Sequence, residues 1–351
     1  MIHLRLFLIA LTLVCLALPA SAWALTMLWT KPAIITMAAH PDRPERMFAG
    51  SDTGEFFRSQ DGGKSWATSR LTRDGVYRIE FAPSNPDVVY IANGATGGHK
   101  SIDGGKTWQA MPIQLDPGAT YNRDHHRHAY YLTVHPRDAK VVLVATDRDL
   151  VLSKDGGVTW QTVSRTTAES VLFDPTDPLV AYAANGRSLM RSVDGGETWA
   201  VLAAPALKNE PNAHLRWIVR GAGKPARIYV YGKPNAYSDD KGQTWYGLPP
   251  DCWVHTASPS HPVLYAACGD PAKYDLINGR QGEVKRSTDN GRSWHVISND
   301  RPQRTLGVID LFVHPKWPNV LFVELANRAV LRTEDGGKTW MESTGLVWPK
   351  Q

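Results

Sequence analysis

The eight residues "SIDGGKTW", from Ser101 to Trp108, combine a turn signal with the start of a β-strand. An aspartate can accept hydrogen bonds from backbone N–H groups just downstream of it, and glycine tolerates the positive φ angles of tight turns. The Thr–Trp pair that follows favours an extended, packed strand. The stretch therefore predicts a tight turn between two strands of a sheet.

The same pattern occurs seven times, and we refer to each copy as a box, numbered 1 to 7 along the chain. Every box has Asp third, Gly fifth, Ser or Thr seventh and Trp eighth. The boxes are "SQDGGKSW" (59–66), "SIDGGKTW" (101–108), "SKDGGVTW" (153–160), "SVDGGETW" (192–199), "SDDKGQTW" (238–245), "STDNGRSW" (287–294) and "TEDGGKTW" (333–340). Steps of 42, 52, 39, 46, 49 and 46 residues between their aspartates indicate a repeat architecture.

Each box follows an apolar run, a Pro-centred turn and a second apolar run, as in "DLFVHPKWPNVLFVELAN" (310–327). These runs predict two strands, a third short strand leads into the box, and the box Trp opens a fourth. Open sheets rarely exceed about ten strands, so seven such repeats favour radial packing. Residues 23–351 are therefore predicted to form one all-β domain, a seven-bladed β-propeller of four-stranded antiparallel blades.

The boxes are predicted to be parts of the scaffold. The aspartate ties off the turn between the third and fourth strands, and the tryptophan fills the wedge beside the neighbouring sheet. One invariant acid per box offers too few oxygen ligands for calcium. The aspartates are Asp61, Asp103, Asp155, Asp194, Asp240, Asp289 and Asp335, and the tryptophans are Trp66, Trp108, Trp160, Trp199, Trp245, Trp294 and Trp340.

The first 22 residues have the pattern of a secretory signal peptide. "MIHLR" carries a positive charge, "LFLIALTLVCLAL" is an apolar core, and Ala20-Ser21-Ala22 is a small-x-small cleavage site. An uncleaved N-terminal anchor is the alternative, but the apolar run is short for a bilayer span. We expect cleavage after Ala22, a periplasmic or secreted protein, and no stable membrane insertion after cleavage.

Two cysteines of the expected mature chain flank a turn. Cys252 and Cys268 are centred on residue 260, inside the turn sequence "PSHP" (259–262) between two apolar runs. If those runs pair as an antiparallel hairpin, the two sulfurs face each other and can oxidise in an exported compartment. Two buried free thiols are the alternative, and the disulfide is favoured.

The "S-x-D-G-G-x-T-W" element is identified as the Asp-box, or BNR repeat, of the sialidase-like superfamily. Seven boxes after a signal peptide most resemble the photosystem II stability/assembly-factor-like family and its relatives in non-photosynthetic bacteria. This resemblance implies a non-catalytic scaffold that binds other proteins and carries an Arg-rich face. Sialidases are similar in having boxes, but with six blades; sortilin-type propellers have ten, and xyloglucan-cleaving enzymes pair two propellers.

A catalytic constellation is hard to assemble from this sequence. "YRIE" (77–80) imitates three of the four residues of the sialidase Tyr/Phe-Arg-Ile-Pro marker, but it lies in the second repeat and lacks the proline. A two-carboxylate glycosidase needs acids roughly 5–10 Å apart. Loop acids that could share a face are Asp147, Asp149, Asp270 and Asp275. We therefore expect a non-enzyme without a cofactor, and a glycoside hydrolase if it is an enzyme.

The densest polar cluster is "NRDHHRHAYY" (122–131). His126 and His128 would share one face of a strand and are weak candidates for zinc or copper ligands. No acid or cysteine has the local spacing to complete such a site. A solvated loop rich in His and Arg is favoured, and no metal is expected.

Arginines concentrate in the loops that enter the first strand of a blade or join its second strand to its third. These loops lie on one face of a propeller, which we call the loop face. A ring of arginines there would suit a carboxylate or phosphate, and the insertion 269–284 would overhang it. The predicted ring consists of Arg73, Arg123, Arg127, Arg148, Arg165, Arg187, Arg216, Arg280, Arg304 and Arg328.

The functional prediction follows from this face. With 39 Lys and Arg against 34 Asp and Glu, the net charge of +5 permits an anionic partner without demanding one. We expect an exported non-catalytic scaffold whose Arg-rich loop face binds an acidic protein segment, an assembly partner or another anionic ligand. The alternative is a carbohydrate-active protein, either a glycan binder or a sialidase-like or xyloglucanase-like hydrolase. A nucleic-acid partner is disfavoured by the modest charge and by export.

Overall fold

In a computed structural model, each of the seven repeats forms one four-stranded antiparallel sheet, and the sheets are the blades of a seven-bladed propeller. The predicted fold is thereby confirmed. The residues that the structure describes are 32–94, 97–113, 129–146, 148–186, 188–202, 214–233, 235–248, 252–268, 274–275, 279–280, 283–297, 307–343 and 345. The predicted signal peptide lies outside them. Within these ranges, no helix is long and apolar enough to cross a membrane.

The strands of each blade are consecutive in the chain, and the first four blades contain sixteen. Blade 1 contains β1 (Ile34–Ala39), β2 (Met47–Ser51), β3 (Glu55–Ser59) and β4 (Ala67–Arg70). Blade 2 contains β5 (Arg78–Phe81), β6 (Val89–Ala92), β7 (Gly98–Ser101) and β8 (Gln109–Met111). Blade 3 contains β9 (Ala129–Val134), β10 (Val142–Thr146), β11 (Leu150–Ser153) and β12 (Gln161–Ser164). Blade 4 contains β13 (Ser170–Phe173), β14 (Ala181–Ala184), β15 (Leu189–Ser192) and β16 (Ala200–Val201).

The last three blades follow the same order, and blade 6 carries an extra hairpin between its second and third strands. Blade 5 contains β17 (His214–Arg220), β18 (Ile228–Lys233), β19 (Ala236–Ser238) and β20 (Tyr246–Gly247). Blade 6 contains β21 (Cys252–Ala257), β22 (Leu264–Cys268), the hairpin β23 (Tyr274–Asp275) and β24 (Gly279–Arg280), then β25 (Glu283–Ser287) and β26 (His295–Val296). Blade 7 contains β27 (Val308–Val313), β28 (Leu321–Leu325), β29 (Val330–Thr333) and β30 (Met341–Glu342).

The hydrophobic core is divided into seven clusters, one between each pair of neighbouring blades. Successive side chains of a strand point to opposite faces of its sheet, so a central strand serves two clusters. In β2, Met47 packs toward blade 7 while Phe48 packs toward blade 2. Every blade is therefore stabilised by both of its neighbours.

The first strands of successive blades surround the axis and contact one another. Polar side chains link them where their backbones diverge. The backbone N–H of Val134 donates to Glu80 Oε1 at 3.0 Å, and that of Ile218 donates to Ser170 Oγ at 3.1 Å. These bonds satisfy donors at strand edges that face another blade.

Box 2 shows how each box forms its turn. Ser101 Oγ donates to Asp103 Oδ1 and accepts the N–H of Gly105, both at 2.7 Å. Asp103 Oδ1 accepts the N–H groups of Lys106 and Thr107, and its Oδ2 accepts the Thr107 hydroxyl at 2.6 Å. The residue that opens the other six boxes makes the same two bonds at 2.7–2.9 Å. The aspartate carboxylate thus holds the turn by accepting hydrogen bonds from residues within it.

These hydrogen bonds lower the pKa of all seven box aspartates. In box 4 the Thr198 hydroxyl is the largest cause, and the pKa of Asp194 falls to about 2. In box 1 desolvation acts in the opposite direction, but the bonds to Ser65 and its neighbours outweigh it. The turn is therefore stabilised by the ionised carboxylate.

The fifth-position glycine of a box lies against the preceding blade. A Cβ on Gly105 would come within 2.7 Å of Phe48 in blade 1, and one on Gly63 within 2.3 Å of Phe322 in blade 7. The tryptophan Nε1–H donates to the carbonyl of this glycine in boxes 1, 4, 5, 6 and 7, at 3.0–3.2 Å. The box is consequently a contact between blades as well as a turn.

A basic residue just before the box strengthens this contact in several blades. It extends over an aromatic ring of its own blade to a backbone carbonyl in the box of the next blade. The pairs are Arg58 with Gly105, Lys100 with Gly156 and Arg332 with Gly62, each at 3.0 Å. The rings beneath them are Phe56, Tyr90 and Phe322. Sequence analysis did not single out these cations, although they occupy one fixed position.

Blade 7 closes the ring against blade 1 with the same elements. Trp66 Nε1–H donates to Ser343 Oγ at 2.9 Å, and the Ser343 hydroxyl donates to the carbonyl of Gly63 at 2.6 Å. His314 Nε2–H donates to the carbonyl of Pro44 at 2.8 Å. In the described part of the chain, no strand passes from one of these blades to the other. Side-chain contacts hold this seam, which we call the closing seam.

Replacing Ser343 by Ala tests the closing seam. The side chain is 4% exposed, and its loss leaves the Gly63 carbonyl without that donor. We expect the free energy of unfolding to fall by about 1–3 kcal/mol, measured by urea denaturation. Ser84→Ala, at an exposed turn position, is the matched control. Equal stability of both variants would contradict the role given to Ser343.

Acid should destabilise the protein through the boxes. Because the folded pKa of Asp194 is about 2, below its ordinary value of 3.8, the stabilisation is present above pH 3.8 and is lost as pH falls toward 2. Asp194→Asn should take up about 0.8 fewer protons on unfolding near pH 3, as measured from the pH dependence of urea unfolding. An unchanged pH dependence between wild type and variant would contradict the assigned hydrogen bonds.

Candidate functional site

Four of the ten predicted loop-face arginines have described side chains. Arg73 lies between β4 and β5, Arg148 between β10 and β11, Arg165 between β12 and β13, and Arg328 between β28 and β29. The antiparallel order of each blade puts these connections at the same end of the propeller. Among the residues the structure describes, Arg73, Arg148 and Arg165 are exposed and have no carboxylate partner.

The side chains of the other six predicted arginines are outside the described part of the structure. Arg216 lies inside strand β17 and Arg280 in the hairpin strand β24, in both cases without a described side chain. Both are therefore in strands, whereas the sequence analysis counted them among the loops. Outside the described residues are Arg123, Arg127, Arg187 and Arg304, and also the candidate ligands His126 and His128.

Arg328 lies close to two carboxylates at the closing seam. Its guanidinium is 3.6 Å from Glu324 Oε1 and 4.0 Å from Asp52 Oδ2. The residue has a φ of 65°, a conformation that non-glycine residues rarely adopt, so its backbone is strained. Its positive charge is thus partly neutralised, unlike that of the three exposed arginines.

Glu324, which is buried, forms a pair of acids in blade 7 with the half-buried Asp310. It is 4% exposed and is paired directly across strands β27 and β28 with Asp310. Burial, followed by the Asp310 charge, raises the pKa of Glu324 to about 8, and burial raises the pKa of Asp310 to about 6. Its Oε1 accepts the N–H of Ile34 in blade 1, whereas its Oε2 has no partner.

A second charged group lies on the innermost strands of blades 2 and 3. Arg78 stacks 4.4 Å above the Tyr131 ring and approaches Glu80 Oε2 at 3.3 Å. Glu80 also accepts hydrogen bonds from the Thr133 hydroxyl and the Val134 N–H. Arg78 is 29% exposed although its strand surrounds the axis, so water reaches it there. Its buried Nε has no hydrogen-bond partner.

Arg220 adds a further positive charge near the axis, at the end of strand β17. Desolvation lowers its pKa, while Glu80 and Asp174 act in the opposite direction. Within the described residues it has no hydrogen-bonded acceptor. The sequence analysis did not assign Arg78 or Arg220 to the site. The alternation of Arg78 and Glu80 along an inner strand was the available signal, but it was weighed only as a sialidase marker.

The chain places a disulfide at the base of the longest loop. Cys252 and Cys268 are directly opposite in the β21–β22 register and are joined by a disulfide bond. Cys268 is the last residue of β22, after which the chain enters the insertion that carries β23 and β24. The bond therefore fixes the point where this insertion leaves blade 6.

Chemistry beyond binding has little support among the described residues. They contain no group of three or more His, Cys, Asp or Glu that could hold a metal ion. Of the four loop acids considered for a glycosidase, Asp149 has a described side chain, and it accepts a hydrogen bond from the Thr146 hydroxyl. Asp147 and Asp270 lie outside the described residues, and Asp275 lies in β23 without a described side chain.

Comparison with known proteins supports the fold. A family model described as Sortilin, neurotensin receptor 3, matches residues 54–168, which include boxes 1 to 3. Among curated proteins the sequence finds no match. The resemblance to Asp-box propellers is confirmed, and the likeness to the solved structures below is one of fold.

Three solved structures illustrate this likeness. The GH74 xyloglucanase from Xanthomonas campestris is 17% identical with a TM-score of 0.66, and the match covers 88% of this chain and 53% of that enzyme. The GH74 enzyme from Niastella koreensis is 15% identical with a TM-score of 0.68, covering 90% and 54%. YCF48 bound to D1 peptide is 16% identical with a TM-score of 0.60, covering 87% and 94%. The chain thus spans about half the length of the GH74 enzymes.

Removal of the disulfide tests its contribution to stability. Cys252 and Cys268 are 16 residues apart, and closing a loop of this size restricts the unfolded chain. The double variant Cys252→Ser/Cys268→Ser should lose about 3 kcal/mol of unfolding free energy in urea denaturation. Dithiothreitol should lower the Tm of the wild type and leave that of the variant unchanged. A wild type insensitive to the reductant would contradict this assignment.

Proposed function

We propose that this protein is a non-catalytic scaffold whose loop face binds an acidic segment of a partner protein. The observation that carries the proposal is the placement of three exposed, unpaired arginines, Arg73, Arg148 and Arg165, at one end of the propeller. Arg78, the first residue of β5, adds positive charge close to the axis at this end, whereas Arg220 ends β17 at the opposite end. A guanidinium binds a carboxylate through two parallel hydrogen bonds, so dispersed arginines suit a chain of carboxylates.

The opposite end of the propeller is less suited to such a partner. There the boxes engage their aspartates in turns, and some of their cations are shared with neighbouring acids. Lys154 approaches Glu197 at 2.6 Å, and Lys64 approaches Glu334 at 3.2 Å. These two cations are thereby partly neutralised, whereas Arg73, Arg148 and Arg165 are not. The YCF48 structure, which contains a bound peptide, supports a protein partner by likeness of fold.

We also propose that the chain is exported, with residues 23–351 as the mature domain. The signal-like sequence that ends at Ala22 supports this proposal. The disulfide supports it as well, because disulfides persist mainly in oxidising compartments. Cell fractionation with sequencing of the mature N-terminus would test it.

A carbohydrate-active protein is the second candidate, favoured by the likeness to GH74 enzymes. Each of those enzymes is about twice as long, so their activity is not carried over with the fold. The two acids whose pKa is raised, Asp310 and Glu324, lie at a seam between blades, where Glu324 accepts a backbone N–H and faces Arg328. Turnover of fluorogenic sialosides or β-glucans by the purified protein would contradict the scaffold proposal.

Binding of a fluorescent poly-glutamate peptide tests the proposed function. The triple variant Arg73→Ala/Arg148→Ala/Arg165→Ala should bind at least about tenfold more weakly by fluorescence anisotropy, since each lost charge-assisted contact is worth about 1.5–3 kcal/mol at most. Binding by the wild type should weaken as salt is added.

The matched control removes the same charge from the box face. Arg137→Ala/Lys140→Ala/Arg292→Ala alters three exposed cations at the other end of the propeller. This variant should bind the peptide as tightly as the wild type. Equal losses in both triple variants would indicate a general charge effect and would overturn the assignment to the loop face.

A further inference from the structure

Four ionisable groups meet where blade 7 closes against blade 1. Glu324 on β28 lies opposite Asp310 on β27, and Arg328 follows in the turn after β28. Asp52, from the turn after β2, approaches Arg328 from blade 1. From β1, the backbone N–H of Ile34 donates to Glu324 Oε1 at 3.3 Å. Two acids, Glu324 and Asp52, therefore approach one guanidinium across the closing seam, and a third, Asp310, lies opposite Glu324.

This arrangement has more acid than base, and its most buried acid is incompletely satisfied. Glu324 is 4% exposed, and its Oε2 has no partner. Ionised Glu324 would be repelled by Asp310, which lies opposite it, with a single guanidinium nearby to offset the desolvation of its charge. A proton on Glu324 relieves this repulsion, in agreement with its pKa of about 8 and with the pKa of Asp310 of about 6.

The protonation of Glu324 changes the competition for Arg328. When Glu324 is neutral, the Arg328 guanidinium faces one nearby carboxylate, that of Asp52 at 4.0 Å. When Glu324 loses its proton, a second and closer carboxylate is charged, 3.6 Å from Arg328 Nη1. Arg328 lies in the same set of turns as the exposed arginines of the loop face. An anionic partner must therefore compete with Glu324 for this guanidinium.

We propose that Glu324 is a proton-controlled competitor for Arg328, so that the loop face offers this guanidinium to an anionic partner near neutral pH and withdraws it in alkali. The part of this proposal that concerns an anionic partner rests on the proposed function. The control of Arg328 by a proton is a property of the chain alone, and it can be measured without any partner.

Chemical modification of arginine by phenylglyoxal gives that measurement. The rate at Arg328 is divided by the rate at Arg165, an exposed reference in the same protein, which cancels the pH dependence of the reagent. Between pH 7 and pH 9 the neutral fraction of an acid with a pKa near 8 falls about tenfold. We therefore expect the wild-type ratio to fall by up to about tenfold, as quantified by peptide mass spectrometry.

Two variants identify the group responsible. Glu324→Gln keeps an acceptor for Ile34 and cannot ionise, so its ratio should stay constant with pH. Asp310→Asn removes the charge that raises the pKa of Glu324, so the fall should begin at a lower pH. Glu197→Gln, at an exposed acid on the box face, should behave as the wild type. Thermal melts establish that each variant is folded.

A constant ratio in the wild type, or the same fall in Glu324→Gln, would overturn the proposal. Binding of poly-glutamate is measured in parallel, with the expectation that the wild type weakens from pH 7 to pH 9 and that Glu324→Gln does not. If the modification ratio falls but no peptide binds at any pH, the proposed function fails while proton control of Arg328 stands. If the peptide binds and the modification ratio is constant with pH, the proposed function stands and proton control of Arg328 fails.

Discussion

The box turn depends on an ionised aspartate that accepts the N–H groups of the residues after it. That turn presses a glycine against the preceding blade, at positions such as Gly63 and Gly105 where no side chain fits. Turn formation and blade packing are thus one event in each repeat. A propeller whose blades met only through apolar side chains would lack this directional contact, and the angle between blades would be less well defined.

Charge in this protein is divided between structural and available groups. Arg58, Lys100 and Arg332 are engaged with backbone carbonyls of the next blade, so they strengthen the ring and are withdrawn from any partner. The exposed arginines of the loop face make no such hydrogen bond to a neighbouring blade. A count of basic residues therefore overstates the positive charge that a ligand would contact. The position of a cation within its blade distinguishes a structural cation from an exposed one.

The sequence predicted the number of blades, their four-stranded order and the location of the boxes, because a repeated motif samples the same local physics seven times. The arginine-rich loop face stays a prediction: propeller topology determines which connections share an end, and it places Arg73, Arg148, Arg165 and Arg328 there, but Arg216 and Arg280 lie in strands. The sequence did not predict the Asp310–Glu324 pair or the stacking of Arg78 on Tyr131. Those contacts depend on the register between strands and on distances between blades, which a single sequence does not specify.

The closing seam has a consequence for how the chain folds. Six seams join blades that follow one another in the chain, whereas Trp66 and Ser343 are 277 positions apart. Contacts between distant residues form late, because the entropy of closing a long loop must be lost before they can stabilise anything. We expect neighbouring blades to assemble first as an open arc. The closing seam then forms last, and the closed ring unfolds cooperatively.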